Sequence, residues 1–247
     1  MDGDYVDYNS TKGRTLKRKE MLERKKIVDG LIKAASAVKD PLVSFPEFHL
    51  FNQPGLCFQL EAGHGAKLSR ILKHYIQKLL KVNMERHYGM EWPAEEKVKY
   101  REINAPEARY IFVYKDVTRG SYEKKCSMSE NNRDIVGFVH YRFTLEEDLP
   151  VLYVYELQLE PDIQGKGVGR FLMQLLELIA RKSGMAAIVL TVQKRNLSAM
   201  LFYTIKLGYS VAATSPSRVD PQIGAEMNYE ILCKTFDQEA KSKFEVV

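Results

Sequence analysis

Residues 157–172 read Leu157-Gln158-Leu159-Glu160-Pro161-Asp162-Ile163-Gln164-Gly165-Lys166-Gly167-Val168-Gly169-Arg170-Phe171-Leu172. The first three close a run, 151–159, whose alternating aliphatic and aromatic residues predict a strand. The last four open a helical pattern that continues to about residue 182. Between them, three glycines at every second position allow a sharp turn and a close approach of backbone to a ligand. A helix that starts here leaves its first N–H groups without intrahelical partners and aims its positive dipole end at the turn. That combination is an anion site, and phosphate is the natural occupant.

Working outward, the downstream pattern predicts a buried strand over 186–192, a helix over 197–207, a turn at Gly208, and strands near 209–213 and 226–233. Upstream, a strand over 56–61 is followed by the turn Gly63-His64-Gly65. A helix from Lys67 to about His87 carries Leu68, Ile71, Leu72, Tyr75, Ile76, Leu79 and Val82 on one face. Gly89 suits its C-terminal cap, and Pro93 suits the first turn of a second helix reaching about Ile103. Strands follow at 109–114 and 135–143, separated by a polar loop, 118–133. Strands first, then a βαβα order, then strands again, imply an α/β mixed, mostly antiparallel sheet with helices on both faces. Residues 1–14 are polar and expected to be disordered, and a basic helical arm runs from about Thr15 to Val38 until Asp40-Pro41 stops it. The expected organisation is an arm (1–40), one domain (41–234) and a polar tail (235–247).

Among 247 residues, 45% apolar and 28% charged, there is enough chain for a core without metal or disulfide staples. Cys57, Cys126 and Cys233 form no C-x-x-C pair, which excludes a zinc ribbon and disfavours a disulfide scaffold. The five histidines have no metal-ligand spacing. No apolar run reaches the length of a membrane span, and the N-terminus resembles neither a signal peptide nor a myristoylation site, so a reduced, intracellular, soluble protein is expected. The net charge of +5 is unevenly placed. Residues 12–26 hold eight basic and two acidic side chains, leaving 29 basic and 30 acidic groups for the remainder. The arm is thus a solvated helix with an apolar stripe, a nuclear-import signal, or a contact for an acidic partner such as ribosome or chromatin.

Three phosphate-binding families use a strand–glycine turn–helix. A Walker A loop needs Ser or Thr after its lysine, and here Gly167 follows Lys166. In the dinucleotide fingerprint counted from Gly165, Arg170 occupies the third glycine's place. The pattern Gln164-x-x-Gly167-x-Gly169 instead resembles the signature of the GNAT acetyltransferases, which cradles the pyrophosphate of acetyl-CoA. Asn196-x-x-Ala199, then Phe202-Tyr203 and Gly208-Tyr209, resembles the second motif of that superfamily at the usual distance. The run Leu152-Tyr153-Val154-Tyr155-Glu156-Leu157-Gln158-Leu159-Glu160 is more specific. With Asp40-Pro41-Leu42, Phe45-Pro46, Asn83-Met84, Tyr88, Trp92 and the run from His140 to Phe143, it is similar to the histone-directed N-terminal acetyltransferases of the NatD type, which also begin with a basic helical arm.

That resemblance implies acetyl transfer from acetyl-CoA, without a metal, to the α-amine of Ser-Gly-Arg-Gly tails of core histones of types 4 and 2A, in nucleus and cytoplasm. A monomer is expected because no long apolar surface stripe is left over once the core helices are assigned. It implies that Leu157, Gln158 and Leu159 contact the pantetheine arm, and that Gly165, Lys166, Gly167, Val168, Gly169 and Arg170 hold the pyrophosphate. Thr191 and Asn196 also touch the cofactor. Tyr88, Tyr155, Thr214 and Tyr229 contact the tail, and Trp92 walls the pocket. Glu156 is the base, helped by Tyr153 or Tyr155. Thr144 departs from the pattern, because the family carries an acid there; Glu146, Glu147 and Asp148 stand close enough to take over part of its role. Tyr203 sits where many GNAT enzymes place the acid that protonates the leaving thiolate. The chemistry suits a carboxylate base: at pH 7, deprotonating an α-amine costs roughly 1.4 kcal/mol against roughly 4.6 for a lysine, at about 1.36 per unit. A second reading is a GNAT enzyme acting on lysine or a small amine, and a third a non-catalytic chromatin- or RNA-binding module whose affinity falls steeply with salt.

Overall fold

The structure is a computed structural model that describes residues 8–115 and 134–245, with side chains from Arg18 onward. The polar loop expected over 118–133, and Cys126 with it, lie outside the described residues.

An eight-stranded sheet forms the body, in the order β1 (Leu50–Gln53), β2 (Leu56–His64), β3 (Arg109–Lys115), β4 (Ile135–Glu146), β5 (Leu149–Leu159), β6 (Ala187–Gln193), β8 (Tyr229–Thr235), β7 (Ser210–Val211). Every neighbouring pair is antiparallel except β5 and β6, which are joined through the helix α4 (Val168–Lys182). A parallel pair requires such a crossover, and this one positions the glycine turn at the carboxyl end of β5.

Both faces are covered. On one, α4 buries Val168, Leu172, Leu175, Leu176 and Ile179 against Val139, Leu152, Val154, Ile188 and Leu190. On the other, α2 (Arg70–Tyr88) and α3 (Trp92–Asn104) pack over Tyr110, Phe112 and Phe138. On α2 the buried residues are Ile76, Leu79 and Leu80, whereas Ile71 and Val82 are exposed. The rest of the expected face packs, with Leu72, Tyr75, Ile76 and Leu79 in the cluster over the sheet and Leu68 buried ahead of the helix, which starts only at Arg70, where the Ser69 hydroxyl accepts from the Leu72 N–H.

The two ends differ from expectation. Helix α1 (Tyr8–Ala37) begins before Thr15, and no proline interrupts the stretch. Its last turns belong to the body, since Val28 and Ala35 are buried, while Met21, Leu22 and Ile27 stay exposed. An apolar strip is therefore left over on α1, against the premise from which a monomer was expected. The C-terminal segment is not a free tail. Helix α8 (Gln238–Phe244) is capped by Asp237 and buries Ala240 and Phe244, four residues apart on one face, against Val151, Ala187 and Cys233. Two short helices, α6 (Pro216–Val219) and α7 (Pro221–Glu226), precede β8, so that strand starts at Tyr229 rather than near residue 226.

Candidate active site

The pairing of β5 decides the geometry. Its parallel ladder with β6 runs only from Val151 opposite Ala187 to Val154 opposite Leu190. Beyond that the strands diverge, and the β5 edge from Tyr155 to Leu159 has no β6 partner. On its other side, β5 opposes β4 with His140 facing Glu156 and Tyr141 facing Val154, so Tyr155 is the extra residue of a β-bulge. A bulge bends its strand and re-aims side chains. Leu152 and Val154 before it, and Leu157 and Leu159 after it, all pack with α4. Tyr153, Tyr155, Glu156 and Gln158 consequently share the opposite face. Without the bulge, Glu156 would point into the apolar core.

Two cavities meet at this split. The first, of about 750 Å³, is lined by Leu157, Gln158, Leu159, Gln164, Gly165, Gly167, Gly169, Arg170 and Asn196. Gly165 and Gly167 have φ of +74° and +87°, left-handed values that favour glycine. A Cβ on Gly169 would come within 3.3 Å of Phe202. The first turn of α4 carries no acid, and Gly167 caps it without a side chain. Gln164 and Asn83 donate to the Leu159 carbonyl, each at 3.0 Å, tying the turn to the freed strand edge. Among the described residues, every charged side chain lining this cavity is basic: Arg86, Arg170 and Lys206, with His87 beside them. Open helix amides, glycine clearance and an acid-free wall fit the diphosphate of acetyl-CoA.

The second cavity, of about 610 Å³, lies between α2–α3 and β8. It shares Met84, Leu157, Gln158, Asn196, Ala199 and Tyr203 with the first. Its charge is opposite: among the described residues, Glu91, Glu95, Glu102, Glu146, Glu156 and Glu226 line it against the single lysine Lys99. Asn228 donates to Glu91 at 2.9 Å, so the segment before β8 is fastened to α3 across the rim.

Glu156, 7% exposed, has both oxygens held: Lys99 Nζ stands 2.9 Å from Oε1, and Gln158 Nε2 donates to Oε2 at 2.9 Å. Burial alone would push Lys99 down, but the charges of Glu156, Tyr88 and Glu102 outweigh it and raise its pKa. Lys99 thus stays cationic. A carboxylate offers about four lone-pair sites, so Glu156 retains accepting capacity with two used. Tyr203 touches both cavities, and burial, reinforced by the charge of Glu156, raises its pKa so that it keeps its proton at neutral pH. It lies in a single π-helical stretch, Phe202–Lys206, that follows α5 (Leu197–Leu201) where one continuous helix was expected. Such bulges often occur at functional sites. His140 is 1% exposed and stacked between Tyr110 and Tyr155, at 5.0 and 4.8 Å between ring centres. Burial, then the charges of Arg142 and Lys99, push it well below its ordinary pKa, so it is neutral. Arg142 covers Tyr155 at 4.3 Å and donates to the Glu102 carbonyl, fixing that ring.

The remaining expected residues divide. Tyr88, Tyr153, Tyr155 and Tyr229 line the acidic cavity, and so does Glu146, the carboxylate nearest Thr144. Thr191 faces that cavity, hydrogen-bonded to the Tyr153 hydroxyl at 2.5 Å, and does not line the basic one. Asn196 lines both, although its side chain also caps α5 through the Ala199 N–H. Trp92 is 3% exposed and stands behind Tyr88 at 5.8 Å, bracing the wall rather than forming it. Thr144 and Thr214 line neither cavity. Lys166 turns to the far side of the loop, beside Gly55, Lys115 and Asp162, and the Val168 side chain is fully buried, leaving only its backbone for an anion. Sequence reasoning missed Lys99 and Gln193, and quoted Asn83 without giving it a role. Charged and amide residues on helices or strand ends carry no pattern that distinguishes a site from a solvated face.

Residues 81–209 match the Acetyltransferase (GNAT) family, and the chain belongs to it. A mycothiol acetyltransferase of Propionibacterium freudenreichii is 38% identical over 80 residues, a match spanning 32% of this chain and a quarter of that protein's length. Among solved structures, the chain is similar to PaiA N-acetyltransferase of Thermoplasma acidophilum in complex with coenzyme A, with 17% identity and a TM-score of 0.47 over 72% of this chain and 99% of that one. It is also similar to Arabidopsis thaliana Naa50 in complex with a bisubstrate analogue, with 19% identity and a TM-score of 0.44 over 72% and 99%.

Proposed function

We propose that the protein transfers an acetyl group from acetyl-CoA to the N-terminal α-amine of a basic, Ser-starting tail, of the Ser-Gly-Arg-Gly kind that begins core histones of types 4 and 2A. The observation that carries the reading is the meeting of two cavities of opposite charge at Leu157, Asn196 and Tyr203. The basic one suits a polyanionic acyl carrier, and the acidic one a cationic peptide.

Gly165, Gly167, Gly169, Arg170 and the N-terminal amides of α4 hold the diphosphate, and the free edge of β5 at Leu157 and Leu159 receives the pantetheine. Acetyl-CoA supplies a thioester, an acyl group already activated toward amines. Glu156 removes the ammonium proton, directly or through one water. Lys99 and Gln158 hold and orient its carboxylate. The Tyr203 hydroxyl, still protonated at neutral pH, gives the proton required at sulfur as the C–S bond breaks, and is restored by the second proton that the nitrogen sheds in becoming an amide. Tyr88, Tyr155 and Tyr229 form the walls, and Glu146, Glu95 and Glu226 attract the cationic residues that follow.

Turnover of Ser-Gly-Arg-Gly against the same peptide with Glu in third place tests this. Setting like charges together in the acidic cavity costs several kcal/mol, so kcat/KM is expected to fall by at least about 100-fold. Equal turnover of the two, or preference for a free lysine side chain, would overturn the reading.

A further inference from the structure

We infer that Gln193, the last residue of β6, reads the first residue of the substrate: its side-chain carbonyl accepts a hydrogen bond from a hydroxyl there, selecting Ser- or Thr-starting substrates over Ala-starting ones. The inference rests on the acyl-transfer reading above and names the group that sets its specificity.

Gln193 is 9% exposed and lines the acidic cavity. Its Oε1 is buried without a hydrogen-bond partner among the described residues. Its amide donates toward the Tyr88 hydroxyl, so the nitrogen is taken and Oε1 is the polar atom of the group left over. Tyr229 stands opposite Gln193 in the β6–β8 ladder and lines the same wall. Tyr88 in turn lies within electrostatic reach of Lys99 and Glu156, so the ring that Gln193 is bonded to stands near the base. An amine delivered to Glu156 carries its own side chain into this region.

A buried acceptor left unpaired is costly, and the cost is recovered when a ligand brings a donor. Guanidinium and ammonium groups of later residues are drawn to the six carboxylates, which outcompete a neutral amide. The donor that matches Oε1 is therefore a small neutral one, a hydroxyl. Sites built to bond a substrate hydroxyl discriminate strongly against analogues that lack it.

The test is the ratio of kcat/KM for Ser-Gly-Arg-Gly over Ala-Gly-Arg-Gly with acetyl-CoA, in the wild type, Gln193→Met and Gln193→Glu. The wild type is expected to favour Ser by at least about tenfold. Gln193→Met should bring the ratio to within about threefold of unity, and Gln193→Glu, which keeps an acceptor and reports on folding, should retain the preference. A wild type that treats the two peptides alike overturns the inference while the acyl-transfer reading stands. So does a Gln193→Met variant that slows both equally, because a backbone N–H common to both would then be the group bound. A wild type that acetylates neither peptide overturns both.

Discussion

Replacing Lys99 by Met leaves the Glu156 carboxylate inside the protein with Gln158 as its remaining partner. The two side chains are 16% and 6% exposed, which makes this a buried ion pair rather than a surface one. Removing one member of such a pair costs about 3–5 kcal/mol, chiefly because the other charge stays buried and unpaired. Lys99 is not fully buried and also reaches Glu102 at 3.2 Å, so the lower end applies, about 3 kcal/mol. For a chain of this size that lowers Tm by roughly 6–12 °C, at about 2–4 °C per kcal/mol. Glu156→Gln alone unpairs the lysine instead. The double variant, Lys99→Met with Glu156→Gln, removes both charges and should regain about 2–3 kcal/mol relative to the sum of the singles. Kinetics carry a second readout: Glu156→Gln should lose at least about tenfold in kcat while acetyl-CoA still binds. Thermal denaturation of the four proteins measures the coupling, and singles that add to the double within about 0.5 kcal/mol would refute it.

Three further outcomes follow from the geometry. Gly167→Ala has room for its Cβ, whose nearest neighbour is Gln53 at 3.6 Å, but a left-handed φ costs about 1–2 kcal/mol, so calorimetry should show a several-fold weaker affinity for coenzyme A; unchanged affinity would remove the turn from the binding site. Tyr203→Phe should lower kcat without weakening acetyl-CoA binding; an unchanged kcat would leave that ring with packing alone. His140 is held below its ordinary pKa, so the unfolded chain binds its proton first. Its contribution is complete above about pH 6.5 and is lost as pH falls below that, with a slope up to about 1.4 kcal/mol per pH unit, until folded His140 protonates. His140→Phe, which keeps the stack on Tyr110 and Tyr155, should reduce the acid sensitivity in denaturant titrations, and an identical slope would contradict that origin.

Periodicity and glycine placement were enough to read the strand–turn–helix at β5 and α4, because both sides of that junction are buried and each side chain answers to one dominant contact. On α2 the pattern located the packed face from Leu72 to Leu79 but not the start, which depends on the Ser69 cap. Helix α8 was invisible: two buried residues, Ala240 and Phe244, in a charged segment make too short a stripe to register. The site was legible in its backbone half and obscure in its side-chain half. The bulge at Tyr155 exists only in the pairing of β4 with β5, and regular alternation would send Glu156 into the core beside Val154. Lys99 sits on a charged helix where nothing local separates it from Lys97, and only the approach of α3 to β5 makes it the partner of Glu156. Gln193 and Thr191 illustrate the same limit, since the divergence of β6 from β5 decides which cavity each one faces.

The most direct measurement is the position of the acetyl group after the protein is incubated with acetyl-CoA and a Ser-Gly-Arg-Gly peptide carrying a downstream lysine, read by tandem mass spectrometry beside an N-blocked copy. The account expects a single acetyl on the α-amine of the free peptide and none on the blocked one. Acetyl on the lysine, or on neither peptide, would contradict it.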